Sequence, residues 1–148
     1  MYTPHDHPIA LPPVMLSEAD RDRLYPIAIS ALTSKRLASS ASNLLREISR
    51  AEIVSYDEFP ENVVAINSHV DVRDNVSGTA RQVVLVMPDE TSTQSNAVSV
   101  LSPLGAALIG LSAGHSIDWC SANGEPSSMT VLRSTAGSAR SQARADRH

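Results

Sequence analysis

Val98 to Trp119 reads VSVLSPLGAALIGLSAGHSIDW, and this stretch decides the fold. Val98 and Val100 alternate with a polar serine, which predicts the end of a half-buried strand. Ser102 and Pro103 predict a helix start, because a serine hydroxyl caps the first amides and proline supplies a preset φ where no N–H is needed. Apolar residues then recur at helical spacing, which predicts one buried face formed by Leu104, Ala107, Leu108 and Leu111.

The end of the same stretch predicts a turn and a second strand. Gly114 is expected to stop the helix or to form the turn. Ile117 and Trp119 then restart an alternating pattern. A strand, a short helix, a turn and a strand are therefore expected within one continuous segment.

Length and composition indicate one modest domain in a reducing compartment. The chain has 148 residues, of which 42% are hydrophobic, and its single cysteine, Cys120, excludes a disulfide within the chain. The longest apolar run, residues 104–111, is too short to span a bilayer. The N-terminus shows no basic region followed by an apolar segment, so no secretory signal is expected. We therefore expect a cytoplasmic protein without membrane contact.

The formal net charge of −4 is unevenly distributed. Residues 133–148 carry a net charge of +3, so the remainder carries −7. An acidic body argues against non-specific binding to duplex DNA. Residues 134–148 are expected to be a disordered basic tail. A module that binds nucleic acid or a small molecule through this tail stays open as an alternative.

Residues 1–16 contain four prolines and are expected to form a flexible leader. His5-Asp6-His7 lies in this leader. A specific metal site needs further ligands and a rigid surrounding shell, and this segment offers neither. The sequence therefore predicts no metal site and no cofactor.

Two apolar stripes with helical spacing predict a short antiparallel helical hairpin, resembling a coiled coil, over residues 17–55. Ser17 and Asp20 stand at the capping and third positions of the first helix. Pro26 is expected to kink that helix or to restart it, because its ring removes a backbone donor. The tip of the hairpin, residues 33–36, ends in Lys35 and Arg36 and contains no acid.

Residues 56–62 are acidic, contain Pro60 and are interpreted as a linker. Over residues 63–133, several strands joined by turns are expected, with one short helix between them. The strands are placed at residues 64–72, with a polar interruption at Asn67-Ser68, and at residues 81–87 and 129–132, besides those of the opening stretch. The predicted class is α+β, with an antiparallel sheet.

Three segments resemble one known family of proteins. They are the opening stretch, the helix end that contains Glu47, Arg50 and Ala51, and the strand that begins with Val63-Val64-Ala65-Ile66-Asn67-Ser68. Together they resemble the C-terminal domain of Gre-type transcription factors, and above all their shorter relatives, the regulator of nucleoside diphosphate kinase (Rnk) family. The resemblance covers roughly residues 17–132. It implies an FKBP-like sheet domain.

The resemblance also implies a function. Gre factors dock on the rim of the RNA polymerase secondary channel, and acidic residues at their hairpin tip hold a catalytic magnesium ion. By position, Ser102, Pro103 and Leu104 would contact the polymerase, and Lys35 and Arg36 would lie nearest the channel. A tip with two cations and no carboxylate lacks the ligands for magnesium. We therefore expect a polymerase-binding regulator that does not stimulate transcript cleavage and meets DNA only through the polymerase.

Two other functions stay open at this point. The family name implies a regulator that acts directly on nucleoside diphosphate kinase. The FKBP-like fold implies a prolyl isomerase, but that activity uses an aromatic-lined cleft, and only Trp119 is aromatic within the predicted sheet domain. No nucleophile–base pair or other catalytic constellation is evident, because Ser102 is explained as a helix cap. A non-enzymatic protein is expected.

Overall fold

A computed structural model describes residues 12–92, 94–121 and 123–136. Most of the predicted leader, with His5-Asp6-His7, and most of the predicted tail lie outside these residues. The described elements, in chain order, are three helices and seven strands: β1 (Met15–Ser17), α1 (Glu18–Ala31), α2 (Ala38–Arg50), β2 (Glu52–Val54), β3 (His69–Asp74), β4 (Ala80–Val86), β5 (Ala97–Ser99), α3 (Pro103–Leu108), β6 (Ser116–Cys120) and β7 (Pro126–Thr135). Short 3-10 turns form at Tyr56–Glu58 and Pro88–Glu90.

The main sheet has five strands in the order β5-β4-β3-β7-β6. β3 pairs antiparallel with β4 and with β7, and β7 pairs antiparallel with β6. β5 instead runs parallel to β4. The expectation of an antiparallel sheet is therefore wrong at this edge. A second, two-stranded sheet pairs β1 with β2 in parallel, so Met15 and Leu16 belong to a strand and not to a leader.

α1 begins as the sequence predicts and is not divided at Pro26. The Ser17 Oγ accepts a hydrogen bond of 3.1 Å from the Asp20 amide, which confirms the cap. α1 then runs through Pro26 without restarting. Because Pro26 has no N–H, the Asp22 carbonyl four residues earlier receives no helical hydrogen bond. Both residues are exposed. Water can hydrate that carbonyl, so the proline is tolerated within the helix.

The helices and the main sheet share one hydrophobic core. Leu24 of α1, Leu44 of α2, Leu85 of β4 and Leu108 of α3 are all fully buried in the same cluster. The core thus does not divide at the predicted linker. Phe59, inside that linker, is itself only 2% exposed and packs with Val63 and Ala65.

The strand predicted at residues 64–72 begins only at His69. Before it, the chain forms a turn in which the Ser68 amide donates to the Ala65 carbonyl at 3.0 Å. Asn67 occupies the left-handed region with φ of 73°, and its amide donates to the Leu85 carbonyl. Asparagine is one of the few residues that tolerate this conformation, and a strand cannot pass through it.

α3 is shorter than its sequence pattern predicts, and it ends at Leu108. Gly110, with φ of +82°, turns the chain there. Gly114, predicted as the stop or the turn, does not end the helix but lies in the turn before β6, with φ of +93°. A Cβ on Gly110 would clash with the Val14 side chain, so the end of α3 packs directly against the N-terminal segment. Gly105, near the other end of the helix, has no positive φ, but a Cβ there would clash with the Ser99 carbonyl oxygen.

Candidate functional site

A groove of about 720 Å³ lies between the start of α2 and the start of α3. Its helical side is formed by the α1–α2 connection and the first turns of α2, namely Lys35, Arg36, Leu37, Ser39, Ser40 and Asn43. Its other side is formed by the approach to α3 and by neighbouring loops, including Pro88, Thr91, Ser99, Leu101, Ser102 and Pro103. Four of the five site residues predicted from the sequence therefore meet at one surface.

Lys35 and Arg36 are held by a tight connection and not by a projecting arm. The Ser34 carbonyl accepts hydrogen bonds from the amides of Leu37 and Ala38, at 3.2 and 2.9 Å. The two cationic side chains are exposed, and within the described residues neither forms an ion pair. Both charges are therefore available to a ligand or a partner. The packing of α2 on α3 brings them to the groove.

Ser102, Pro103 and Leu104 have different positions relative to this surface. The Ser102 Oγ accepts from the Gly105 amide at 3.0 Å and donates to the Ser99 carbonyl at 2.7 Å, so it caps α3. Pro103 begins the helix and lines the groove. Leu104 is only 7% exposed and belongs to the core. Its apolar side chain anchors α3, and its role as a partner contact stays a prediction.

The groove is hydroxyl-rich and positively charged. Among the described residues that line it, none is acidic and none is aromatic. This is unusual for a chain whose formal net charge is −4. The lining therefore favours an anionic ligand or an acidic partner surface.

Two family models together match most of the chain. The model of the GreA/GreB transcription elongation factor C-terminus matches residues 59–134, and the model of the Rnk N-terminus matches residues 12–54. The regulator of nucleoside diphosphate kinase of Escherichia coli K12 is 31% identical over 121 residues, covering 82% of this chain and 88% of the relative. The chain belongs to the regulator of nucleoside diphosphate kinase family.

Similarity to transcription elongation factors extends beyond this family. The GreA of Syntrophobacter fumaroxidans is 36% identical over 75 residues, which cover 51% of this chain and 48% of that protein. A solved structure of a GreA/GreB transcription elongation factor from Nitrosomonas europaea is 32% identical, with a TM-score of 0.64, and the match covers 82% of this chain and 98% of that one. The Gre-like fold inferred from the sequence is thus confirmed.

In this Rnk-family chain, one exposed feature was missed from the sequence. Tyr25, Ile29 and Leu32 recur at helical spacing on α1 and are 52%, 43% and 39% exposed. The first apolar stripe read from the sequence places Leu32 on the buried face, with Leu24, Ile27, Ala28 and Ala31. The helical spacing of these three residues was the signal in the sequence that could have revealed this second apolar face. The face extends along α1 toward the α1–α2 connection that carries Lys35 and Arg36.

A buried ion pair was missed as well. The Glu47 carboxylate is 4% exposed and contacts the Arg50 guanidinium at 2.7 Å. Arg50 also donates to the Pro12 carbonyl at 2.8 Å, which attaches the N-terminal segment to α2. The spacing of the two residues on one helix was the signal, although the sequence alone does not show that this face is covered.

Two observations limit what the described residues can do. Within residues 12–92, 94–121 and 123–136, no group of three or more His, Cys, Asp or Glu side chains is placed to hold a metal ion. In the same ranges no helix combines the length and apolarity that a membrane crossing requires.

Proposed function

We propose that this protein is a transcription regulator that binds RNA polymerase near the secondary channel and does not stimulate transcript cleavage. Membership of the Rnk family and the match to the GreA/GreB C-terminal model support a regulator that resembles transcription elongation factors. A cytoplasmic location and an FKBP-like character of residues 63–133 are parts of the same proposal. The relatives' names describe regulators or transcription factors, which favours a non-enzymatic role.

The observation that carries the proposal is the meeting of two separately predicted segments at one groove. Lys35 and Arg36 lie on the α1–α2 connection, and Ser102 and Pro103 lie at the start of α3. Cations beside the half-buried Pro103 provide charge complementarity and a rigid contact point for an acidic partner surface. The exposed face of Tyr25, Ile29 and Leu32 would add apolar contact area next to the cations. Leu104 would act indirectly, by fixing α3.

The chemistry of the connection argues against cleavage. Residues 32–37 read LTSKRL and contain no carboxylate. Magnesium is held by oxygen ligands, above all carboxylates. The connection also lines the same groove as the start of α3, a position that would keep it away from a distant reaction centre.

The test is capture of purified core RNA polymerase by the immobilised full chain. We expect Lys35→Glu/Arg36→Glu to reduce capture at least tenfold at physiological salt, because two attractive contacts become repulsive. Pro103→Ala should reduce capture several-fold. The matched control is Arg23→Glu/Arg81→Glu, which reverses two exposed cations outside the groove lining and should capture polymerase as the unchanged chain does.

Equal capture by all four proteins would contradict the site assignment, and no capture by the unchanged chain would contradict polymerase binding. Transcript cleavage in arrested elongation complexes should stay at its spontaneous rate when the chain is added. A clear acceleration would contradict the second half of the proposal.

A second candidate is direct action on nucleoside diphosphate kinase, which the printed name of the Escherichia coli relative favours. Purified kinase in the same capture assay decides between the two, because direct action predicts a complex that forms without polymerase. Prolyl isomerase activity is not supported, since the groove lining described here contains no aromatic residue.

A further inference from the structure

The exposed apolar side chains of this protein are concentrated on one helix. Of the five large hydrophobic side chains that are exposed in residues 12–92, 94–121 and 123–136, three lie on α1 or at its C-cap. These are Tyr25, Ile29 and Leu32, whose spacing of four and three residues places them on one side of the helix. We call them the α1 patch. Single exposed apolar residues need no explanation, whereas contiguous ones mark an interaction surface.

The two ends of the α1 patch differ in shape. A depression of about 490 Å³ lies at the first end, lined by Arg21, Asp22, Tyr25 and Pro26. At the other end, two turns later, the branched side chain of Leu32 is 39% exposed. A second copy whose α1 runs in the opposite direction would place its Leu32 at this depression. Two-fold symmetry would then repeat the same contact at the other end of the patch.

The charges beyond the two ends have opposite signs and matching distances. Asp22 lies three residues before Tyr25, and Lys35 lies three residues after Leu32. Both charged side chains are exposed. When two copies pair antiparallel with Tyr25 against Leu32, Asp22 of each copy therefore lies near Lys35 of the other. This arrangement adds charge complementarity to the apolar contact.

The Asp22 carboxylate already has a cation within its own chain, and that contact is weak. The Arg21 guanidinium lies 3.1 Å from it, but the two side chains are 39% and 69% exposed. An ion pair so accessible to water contributes little free energy, and a carboxylate has two oxygens that accept from more than one donor. Asp22 can therefore also contact a cation of a second copy.

These features are self-complementary, which is the property that a two-fold interface requires. Each copy supplies the depression and the side chain that fills it, and each supplies the acid and the cation. The contact area is limited, because α1 has 14 residues and is about 20 Å long. Stable interfaces bury roughly 1,200–2,000 Å², so a pairing through this patch should be weak and reversible.

We propose that the α1 patch is a self-association surface, through which two copies of this chain form a reversible two-fold dimer with antiparallel α1 helices. Dimer formation needs neither polymerase nor kinase, so it is measured on the chain alone. Because Lys35 also belongs to the proposed polymerase contact, the dimer would withhold this cation from polymerase. That consequence alone rests on the function proposed above.

The experiment is sedimentation equilibrium of the full chain over concentrations from about 10 µM to about 1 mM, the range that suits a weak complex. We expect the average mass to rise with concentration from that of one chain toward twice that value. Ile29→Asp should weaken the dimer at least about tenfold, because it places a charge in the middle of the apolar contact. The matched control is Val76→Asp, which changes a side chain that is 76% exposed outside the patch and should leave dimer formation unchanged.

A charge exchange tests the antiparallel register. Lys35→Glu should weaken the dimer several-fold, because it places two carboxylates near each other at both ends of the patch. Asp22→Lys/Lys35→Glu should restore most of the affinity, because it exchanges the two charges. Both positions are exposed, so these variants should fold as the unchanged chain does.

Disulfide cross-linking tests the position of the two-fold axis. Cys120 is exposed, so it is first replaced by serine. Ile29→Cys in this background should form a cross-linked dimer under mild oxidation, because the two Ile29 positions lie closest to the axis. Arg23→Cys is the control, since this exposed residue is two positions before Tyr25 and therefore does not share its side of the helix.

Three results would overturn the proposal. The first is a chain that stays monomeric at every concentration, in which case the α1 patch serves another segment of the chain or a different protein. The second is a dimer that Ile29→Asp does not weaken. The third is cross-linking that is as efficient through Arg23→Cys as through Ile29→Cys. A charge exchange that fails to restore the affinity would overturn the antiparallel pairing.

Discussion

Arg50 is the residue whose removal should destabilise this protein most through charge. Its guanidinium lies 2.7 and 2.9 Å from the Glu47 Oε1 and 2.8 Å from the Pro12 carbonyl. The Glu47 side chain is 4% exposed, and its other cation, Arg46, is more distant at 3.6 Å and largely exposed. Arg50→Met keeps much of the apolar stem but removes all three contacts.

The size of the expected loss in unfolding free energy depends on the Glu47 carboxylate, which stays buried when Arg50 is removed. Without Arg50, the Glu47 carboxylate keeps only the distant, solvated Arg46, and breaking a buried pair on one side costs about 3–5 kcal/mol. We therefore expect Arg50→Met to lower the free energy of unfolding by about 3 kcal/mol, the lower end, because Arg50 itself is 24% exposed. Replacing both partners, as Glu47→Leu/Arg50→Met, should recover most of this loss, since no charge is then left buried.

The assay is urea unfolding at pH 7 followed by circular dichroism. Arg46→Met is the matched control, because it removes an exposed cation from the same carboxylate and should cost less than about 0.5 kcal/mol. The reasoning is refuted if Arg50→Met costs no more than Arg46→Met. It is also refuted if the double variant is less stable than Arg50→Met alone.

Three further substitutions test the local geometry in the same assay. Gly105→Ala should lower the free energy of unfolding by about 3 kcal/mol, because the new Cβ would meet the backbone oxygen of Ser99, which cannot move away as a side chain can. Gly114→Ala has open space around the new Cβ but a positive φ, so it should lower the free energy of unfolding by only about 1 kcal/mol. Equal losses for the two variants would contradict the steric argument. Ser17→Ala should cost about 1 kcal/mol, since the Asp20 amide loses its cap, and an unchanged urea midpoint would show that the cap contributes nothing.

The sequence predicted correctly those features that depend on residues close together in the chain. The caps at Ser17 and Ser102 were correct, because each depends on a hydroxyl and an amide three residues apart. The end of α3 was misplaced because Gly110 turns the chain where Val14 packs against it, and no pattern within the helix shows that contact. The parallel pairing of β4 with β5 was missed for the same reason, since pairing direction depends on the path between strands.

The sequence identified four residues of the candidate site, but it did not show that they lie at one groove. Lys35 and Arg36 were assigned to a projecting tip, and Ser102 and Pro103 to a separate domain. Only the packing of α2 on α3 brings the four together. Ser40 had no distinguishing signal, because a serine in an amphipathic helix has the same sequence context whether or not a groove lies beside it.

The contact between the N-terminal strand and the end of α3 has a consequence for how the chain folds during synthesis. The Met15 amide donates to the Gly110 carbonyl at 3.0 Å, so β1, which leaves the ribosome before α3, gains this contact only after α3 has been made. Contacts between residues so far apart close late and slow folding. The growing chain should therefore expose the apolar side chains of Val14 and Leu16 until α3 emerges, and chaperones that hold short hydrophobic segments would act in that interval.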